Sequence, residues 1–437
     1  MIFLQSPNST VPTFARLPLR SQSFLAVLLL ACTVIVSGQT APQPPAITTA
    51  RAFSVPPLKR WLSEGPVVQI PWKVKVFRHG LSVHQRLVER IEVEMNGREL
   101  GKRAGQGRIG VLVQVTDSQG HEFRDHGELD LVELKPDIGK NNVSWFWNAF
   151  ATPGDYNIMV VLFDSATGEH NLTMFGIHVD PLKNDPLPEL WRDLPAWEFW
   201  DVLDDKDAFF HPDIEGRLHL KPAAKRPVQL EILADLTPSD LFHGSARFYD
   251  HYLSTVVPLM KALSEMDLED GSVNVSTVDL RRRKVTFQQE LARGKDMDWT
   301  KVKAVLAPEN GPVTVDAQVL QEKHERPDFL REELTRRLRI PPSPAADKRP
   351  LRVFVVIGSP MDFYSFHSMP PIEDAPAEQD CRVYYLQYEL YNPRYAYGAI
   401  DKVKKLLQPL PVHTMKVRTP ESIRHALAQV MDDLARM

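Results

Sequence analysis

Val228-Gln-Leu-Glu-Ile-Leu-Ala-Asp-Leu-Thr-Pro-Ser239 runs from an apolar strand directly into a string of oxygen-bearing side chains. The strand is predicted over 228–234, and the stretch from Arg247 to Met266 then reads as a helix. Its residues Tyr249, Leu253, Val256, Val257, Met260 and Leu263 recur at three- and four-residue spacing. Strands follow at 273–280 and 284–290, then helices near 299–306 and over 315–338. Leu351-Arg-Val-Phe-Val-Val-Ile357 is almost unbroken apolar sequence, the pattern of a central strand covered on both faces. Two more strands, 383–388 and 412–417, are each followed by a helix, 397–407 and 420–437. Strand–helix alternation of this kind implies a doubly wound α/β domain over 226–437, with ligands expected at the carboxyl ends of its strands.

Upstream the period changes. Residues 66–180 alternate apolar and polar in short runs: 67–77, Ile91-Glu-Val-Glu-Met95, Val111-Leu-Val-Gln-Val115 and Leu129-Asp-Leu-Val-Glu-Leu134. Turn residues separate them at Asn96-Gly97, Asp117–Gly120 and Asp164–Gly168, which predicts an antiparallel β-sandwich. Thr152-Pro-Gly-Asp-Tyr156 before Ile158-Met-Val-Val-Leu162 resembles the tyrosine corner of Greek-key sandwiches. On that motif and spacing, the stretch is similar to immunoglobulin-like and fibronectin-like modules. Residues 181–225 read as a Pro- and Trp-rich connector, whose Trp191, Trp197 and Trp200 are expected to pack domains together.

The N-terminus has the form of a secretory leader. Arg16 and Arg20 precede the apolar run Phe24–Val36 and the small residues Ser37-Gly38. The run is short for a bilayer span, so a signal peptide over 1–38 and a linker over 39–65 are expected. Leu29-Leu-Ala-Cys32 is a loose lipobox, and a lipid anchor at Cys32 is the competing reading. Export to the periplasm or beyond follows from either. Cys32 and Cys381 are the chain's two cysteines, so a mature chain could close no internal disulfide. A net charge of −4 gives no electrostatic case for nucleic acid.

Asp235-Leu-Thr-Pro-Ser239 resembles the Asp-x-Ser-x-Ser metal motif of von Willebrand factor A domains, with Thr237 in place of the first serine. The order of elements over 226–437 resembles that family too. Its pairing with an exported sandwich is similar to exported bacterial proteins related to the family. The resemblance implies Mg²⁺ held by Asp235, Thr237 and Ser239, completed by Thr314 and Asp362, and a protein partner that supplies a carboxylate. The third-loop aspartate of the family falls where this chain reads Gly358-Ser-Pro-Met-Asp362, so that carboxylate is lost or displaced. The plainer reading is that Asp235, Thr237 and Ser239 form a turn and cap the next helix.

Other signals fall away. Gly105-Gln-Gly-Arg-Ile-Gly110 precedes a strand rather than opening a helix, and His121…His126 has the wrong spacing for a zinc protease. Ser359 lacks the Gly-x-Ser-x-Gly elbow, and Cys381 reads as a small core residue. The expectation is an exported, non-enzymatic binding or scaffold protein, with a periplasmic hydrolase or a metal-free envelope component as alternatives.

Overall fold

The computed structural model describes residues 2–5, 57–134, 138–139, 141–200, 216–237, 246–280, 282–306, 325–339, 350–359, 372, 381–388 and 402–437. Among these residues three sheets and few helices make up a predominantly β fold. In chain order the first part contains β1 (Ile2–Gln5), α1 (Leu58–Glu64), β2 (Val67–Val68), β3 (Trp72–Leu81), β4 (Leu87–Asn96) and α2 (Gly97–Gly101). It continues with β5 (Arg108–Asp117), β6 (Glu122–Asp130), β7 (Asn142–Ala151), β8 (Gly154–Asp164), β9 (His170–Val179) and β10 (Trp197–Trp200). The second part contains β11 (Val228–Asp235), α3 (Ala246–Ser264), β12 (Ser272–Asp279), β13 (Lys284–Leu291), α4 (Trp299–Leu306) and α5 (Glu325–Arg339). After these come β14 (Leu351–Gly358), β15 (Cys381–Tyr388), α6 (Lys402–Leu407), β16 (Val412–Val417) and α7 (Pro420–Arg436).

The alternating segments form two antiparallel sheets, β1-β7-β4-β3 with β10 also on β7, and β2-β9-β8-β5-β6. Period-two patterning puts Leu87, Ile91, Val93 and Met95 of β4 on one side of the strand. There they meet Val111 and Val113 of β5 and Ile158 and Val160 of β8 in one buried cluster. Tyr156 closes a corner at the start of β8, its hydroxyl donating to the Thr152 carbonyl at 2.8 Å, as the sequence motif leads one to expect. The same hydroxyl lies 2.8 Å from the Ala196 carbonyl, which ties the connector to the sheet.

Several local expectations change. The strand read over 67–77 is broken at Pro71, which has no N–H to give a ladder, and the amides of Gln69 and Ile70 donate instead to Asn171 Oδ1. The strand read over 129–134 ends at Asp130, whose carboxylate accepts the Val132 amide and turns the chain. Asn96-Gly97 opens α2, with the Asn96 side chain accepting from the Arg98 amide. Leu58–Glu64, inside the stretch read as linker, is helical, and Trp61 stacks on His170 at 4.1 Å. Within the connector, Trp191 and Trp197 are buried and Trp197–Trp200 adds a strand. Ile2–Gln5, inside the expected leader, pairs with residues 142–145 of β7.

The third sheet has the order β13-β12-β11-β14-β15-β16, all parallel except β13 against β12. Leu230, Ile232, Val353 and Val355 point to the side covered by α3 and α7. Leu233, Phe354, Val356 and Tyr385 point to the side covered by α5 and α6. Because helices cover both sides, every residue of β14 is buried, and its sequence needs no polar phase. Polar α5 is fixed at its C-terminal end by Arg352, which donates to the Leu338 and Arg337 carbonyls left open there. Thr419 and Ser422 form a capping box at the start of α7, with Pro420 in its first turn.

Candidate functional site

Parallel pairing brings the carboxyl ends of β11, β12 and β14 together, and Asp235 is the last residue of β11. Its side chain folds back onto the chain that follows. Thr237 donates its amide to Asp235 Oδ1 at 3.0 Å and its hydroxyl to the same oxygen. That hydroxyl also accepts the Leu280 amide at 2.7 Å, and the Leu236 amide donates to the Val278 carbonyl at 3.0 Å. The turn after β11 is thereby stitched to the end of β12. From the other side, Tyr252 of α3 donates its hydroxyl to the Asp235 carbonyl, and its ring meets Tyr388 edge-on at 5.1 Å. Burial pushes the Tyr388 hydroxyl up, with Arg418 pulling the other way, so it stays a neutral phenol at physiological pH.

Gly358, at the end of β14, runs beside this carboxylate, where an added Cβ would lie 3.4 Å from that of Asp235. A small apolar cavity of about 10 Å³ opens next to it, lined by Leu233, Asp235, Val356, Gly358 and Tyr385 among others. Asp235 and Thr237 are both buried, at 5% and 1% exposure.

Of the sequence-predicted site residues, Asp235 and Thr237 are thus in direct contact, whereas Ser239, Thr314 and Asp362 lie outside the described residues, as does Cys32. A hard cation such as Mg²⁺ demands near-octahedral oxygen ligands. Here Asp235 Oδ1 accepts two hydrogen bonds, and the Thr237 hydroxyl both donates and accepts within the protein. Among the described residues no group of three or more His, Cys, Asp or Glu side chains is placed to hold a metal. Asp235 and Thr237 alone supply fewer oxygens than Mg²⁺ takes, and the other ligands the resemblance implies lie outside the described residues. The bonds that are described make a turn that ties the ends of β11 and β12 together.

Sequence reading did not find Tyr252, Leu280 and Gly358 as the companions of Asp235. Tyr252 carried a signal, since it stands four residues before Val256 on the apolar face of α3. The Leu280 amide carried none, because backbone donors are invisible in composition. The rejected glycine motif forms a turn before β5, with Gly105 and Gly107 at positive φ. His121 sits in the β5–β6 hairpin against Asp117, and Cys381 is buried.

No protein-family profile matches the chain, and no curated protein does. Solved structures give faint likenesses. The PilB minor pilin from Streptococcus sanguinis is 9% identical, with 84% of this chain and 88% of that one covered at a TM-score of 0.27. VWA2, the ArnB paralog from Sulfolobus acidocaldarius, is 8% identical, with 63% of this chain and 50% of that one covered at 0.23. A structural-genomics target, SoR45, is 12% identical, with 26% of this chain and 94% of that one covered at 0.15. No helix among the described residues is long and apolar enough to cross a membrane.

Proposed function

We propose that this chain is an exported, non-enzymatic binding protein. In this reading an immunoglobulin-like sandwich carries a doubly wound, von Willebrand factor A-like α/β domain, which engages a protein partner at the carboxyl ends of its strands. One placement carries the reading. β11 lies between β12 and β14, where the order of the third sheet reverses, and open α/β sheets bind ligands in the crevice at that reversal. Asp235, Gly358 and the buried Ser359 lie at that end. The strand order itself, with the third strand of the sheet antiparallel at one edge, is what supports the domain class.

The commitments of Thr237 favour a metal-independent contact. Calorimetric titration of Mg²⁺ or Mn²⁺ into the full chain should give no saturable heat. A saturable site present in the wild type and absent in Asp235→Ala would restore the metal-bridged version. For the partner itself, a photo-crosslinking side chain at Arg283, in the exposed turn beyond β12, should capture a specific protein in the native envelope. The same group at Lys225, before the opposite end of β11, should not. Equal capture at both ends, or none, would refute binding at the strand ends.

A further inference from the structure

The division into a sandwich and a separate α/β domain passes over a seam that runs between them. The β3–β4 hairpin tip, residues 82–86, is closed by the Ser82 amide on the Arg86 carbonyl and the Gln85 amide on the Ser82 carbonyl. Gln85 stands at φ 62° and is fully buried, a conformation that non-glycine residues adopt only when their surroundings hold them there. The surroundings come from two distant parts of the chain. The Gln85 carbonyl accepts Trp191 Nε1 from the connector at 2.7 Å and Arg424 Nη1 from α7 at 3.3 Å. Its side-chain amide donates to the Pro420 carbonyl at 3.0 Å.

Arg424 is itself buried. It donates through Nε and Nη2 to the two oxygens of Asp185 at 2.8 and 2.5 Å, and lies over the Trp191 ring at 4.4 Å. Burial alone would raise the Asp185 pKa, but the Arg424 guanidinium holds it below the usual carboxylate range. Arg86, next in the tip, pairs with Glu198 of β10 over the Phe150 ring. Further along, the His219 amide donates to the Leu190 carbonyl and the Asp267 amide to the Leu220 carbonyl, continuing the seam to the end of α3. Beneath these bonds the apolar cluster is continuous. It includes Ile91 of β4, Trp191 and Leu220 of the connector, Met260 of α3 and Leu427 of α7. A contiguous core of this kind marks one domain rather than two.

We infer that the 82–86 hairpin tip and Arg424 form a clasp that makes the sandwich and the α/β sheet one cooperative unit. Buried ion pairs of this kind add little net stability, and their attested use is to fix a unique arrangement. Apolar contact alone lets two faces slide. The two-point Arg424–Asp185 contact and the strained Gln85 backbone permit one docking geometry only.

The test uses the full chain. Heat unfolding of the wild type should show a single calorimetric transition with equal calorimetric and van't Hoff enthalpies. Amide exchange in β8 and β14 should report the same opening free energy. In Arg424→Ala the sandwich and the α/β sheet should separate into transitions about 5–10 °C apart. Should that variant fail to fold, Gln85→Gly carries the test, because it relaxes the φ strain while deleting the bond to Pro420. Two transitions in the wild type would overturn the inference. So would a single transition in every folded clasp variant, which would assign the coupling to the apolar core alone.

Discussion

Replacing Glu89 by glutamine should change stability in a way that favours the variant progressively more as the pH rises from about 4.5 to about 7. Glu89 occupies the inward phase of β4, between Leu87 and Ile91, with Arg78 of β3 and Ala149 of β7 beside it in register. It is 3% exposed, and its Oε2 has no hydrogen-bond partner among the described residues. Burial raises its pKa from 4.5 to about 7, with Arg78 opposing only weakly. Arg78 is half exposed and shared with Asp180 at 3.5 Å, which accounts for the weak opposition. Tyr156, across the core from β8, also feels Glu89, and burial keeps it neutral over this range.

The sign follows from which state holds the proton. Below pH 4.5 both folded and unfolded chains carry it, and Glu89 adds no pH-dependent penalty. Between 4.5 and 7 the unfolded chain releases the proton while the folded chain retains it, so stability falls with rising pH by about 1.4 kcal/mol per unit. Above 7 both states are ionised and the loss levels off at about 3 kcal/mol, taken as an order of magnitude from the shift of about 2.5 units. Glutamine cannot ionise, so the slope vanishes in the variant. Its buried amide adds an offset that does not depend on pH, which makes the slope, not the absolute difference, the quantity to read. Urea unfolding of both proteins at one-unit steps from pH 4 to 9, followed by tryptophan fluorescence, supplies it. All other titrating groups are common to both chains and cancel in the difference. A difference that stays flat with pH would show that Glu89 ionises normally. A difference that grows as the pH falls would refute the burial argument outright.

Tyr156→Phe removes a hydroxyl that serves both the Thr152 and Ala196 carbonyls, and should cost about 1–3 kcal/mol in the same unfolding assay. Trp197→Ala empties the position of the largest fully buried side chain among the described residues, which sits edge-on to Tyr156 at 5.2 Å, and should cost about 3–5 kcal/mol. Asp235→Asn keeps an amide oxygen to accept the Thr237 amide and hydroxyl, so it should lose less than about 1 kcal/mol, while Asp235→Ala loses about 1–3 kcal/mol. Equal damage from the two Asp235 substitutions, or a Mg²⁺-dependent shift in wild-type stability, would show that the negative charge is needed and would refute the turn.

What could be read from the chain divides along the range of the interactions. Residues 351–357 announce a buried central strand because burial on both faces leaves no polar phase, and the pairing of β14 with β11 on one side and β15 on the other bears that out. Tyr156 could be found because its partner is four residues away. The seam could not, since 339 positions separate Arg424 from Gln85. An arginine on an amphipathic helix looks the same in sequence whether it faces water or a buried aspartate. Asp235 stands between these cases. Its residue type suggested either a metal or a turn, and the Leu280 backbone amide that joins its turn to the end of β12 is a donor no sequence displays. Glu89 was legible after all. Extending the alternation of 91, 93 and 95 backward puts 89 in the apolar phase, where a carboxyl has no ordinary business. A carboxyl kept there without a hydrogen-bonded base lowers stability above pH 4.5. Residues that break a pattern so cleanly are the ones where physical chemistry, more than periodicity, says where to look.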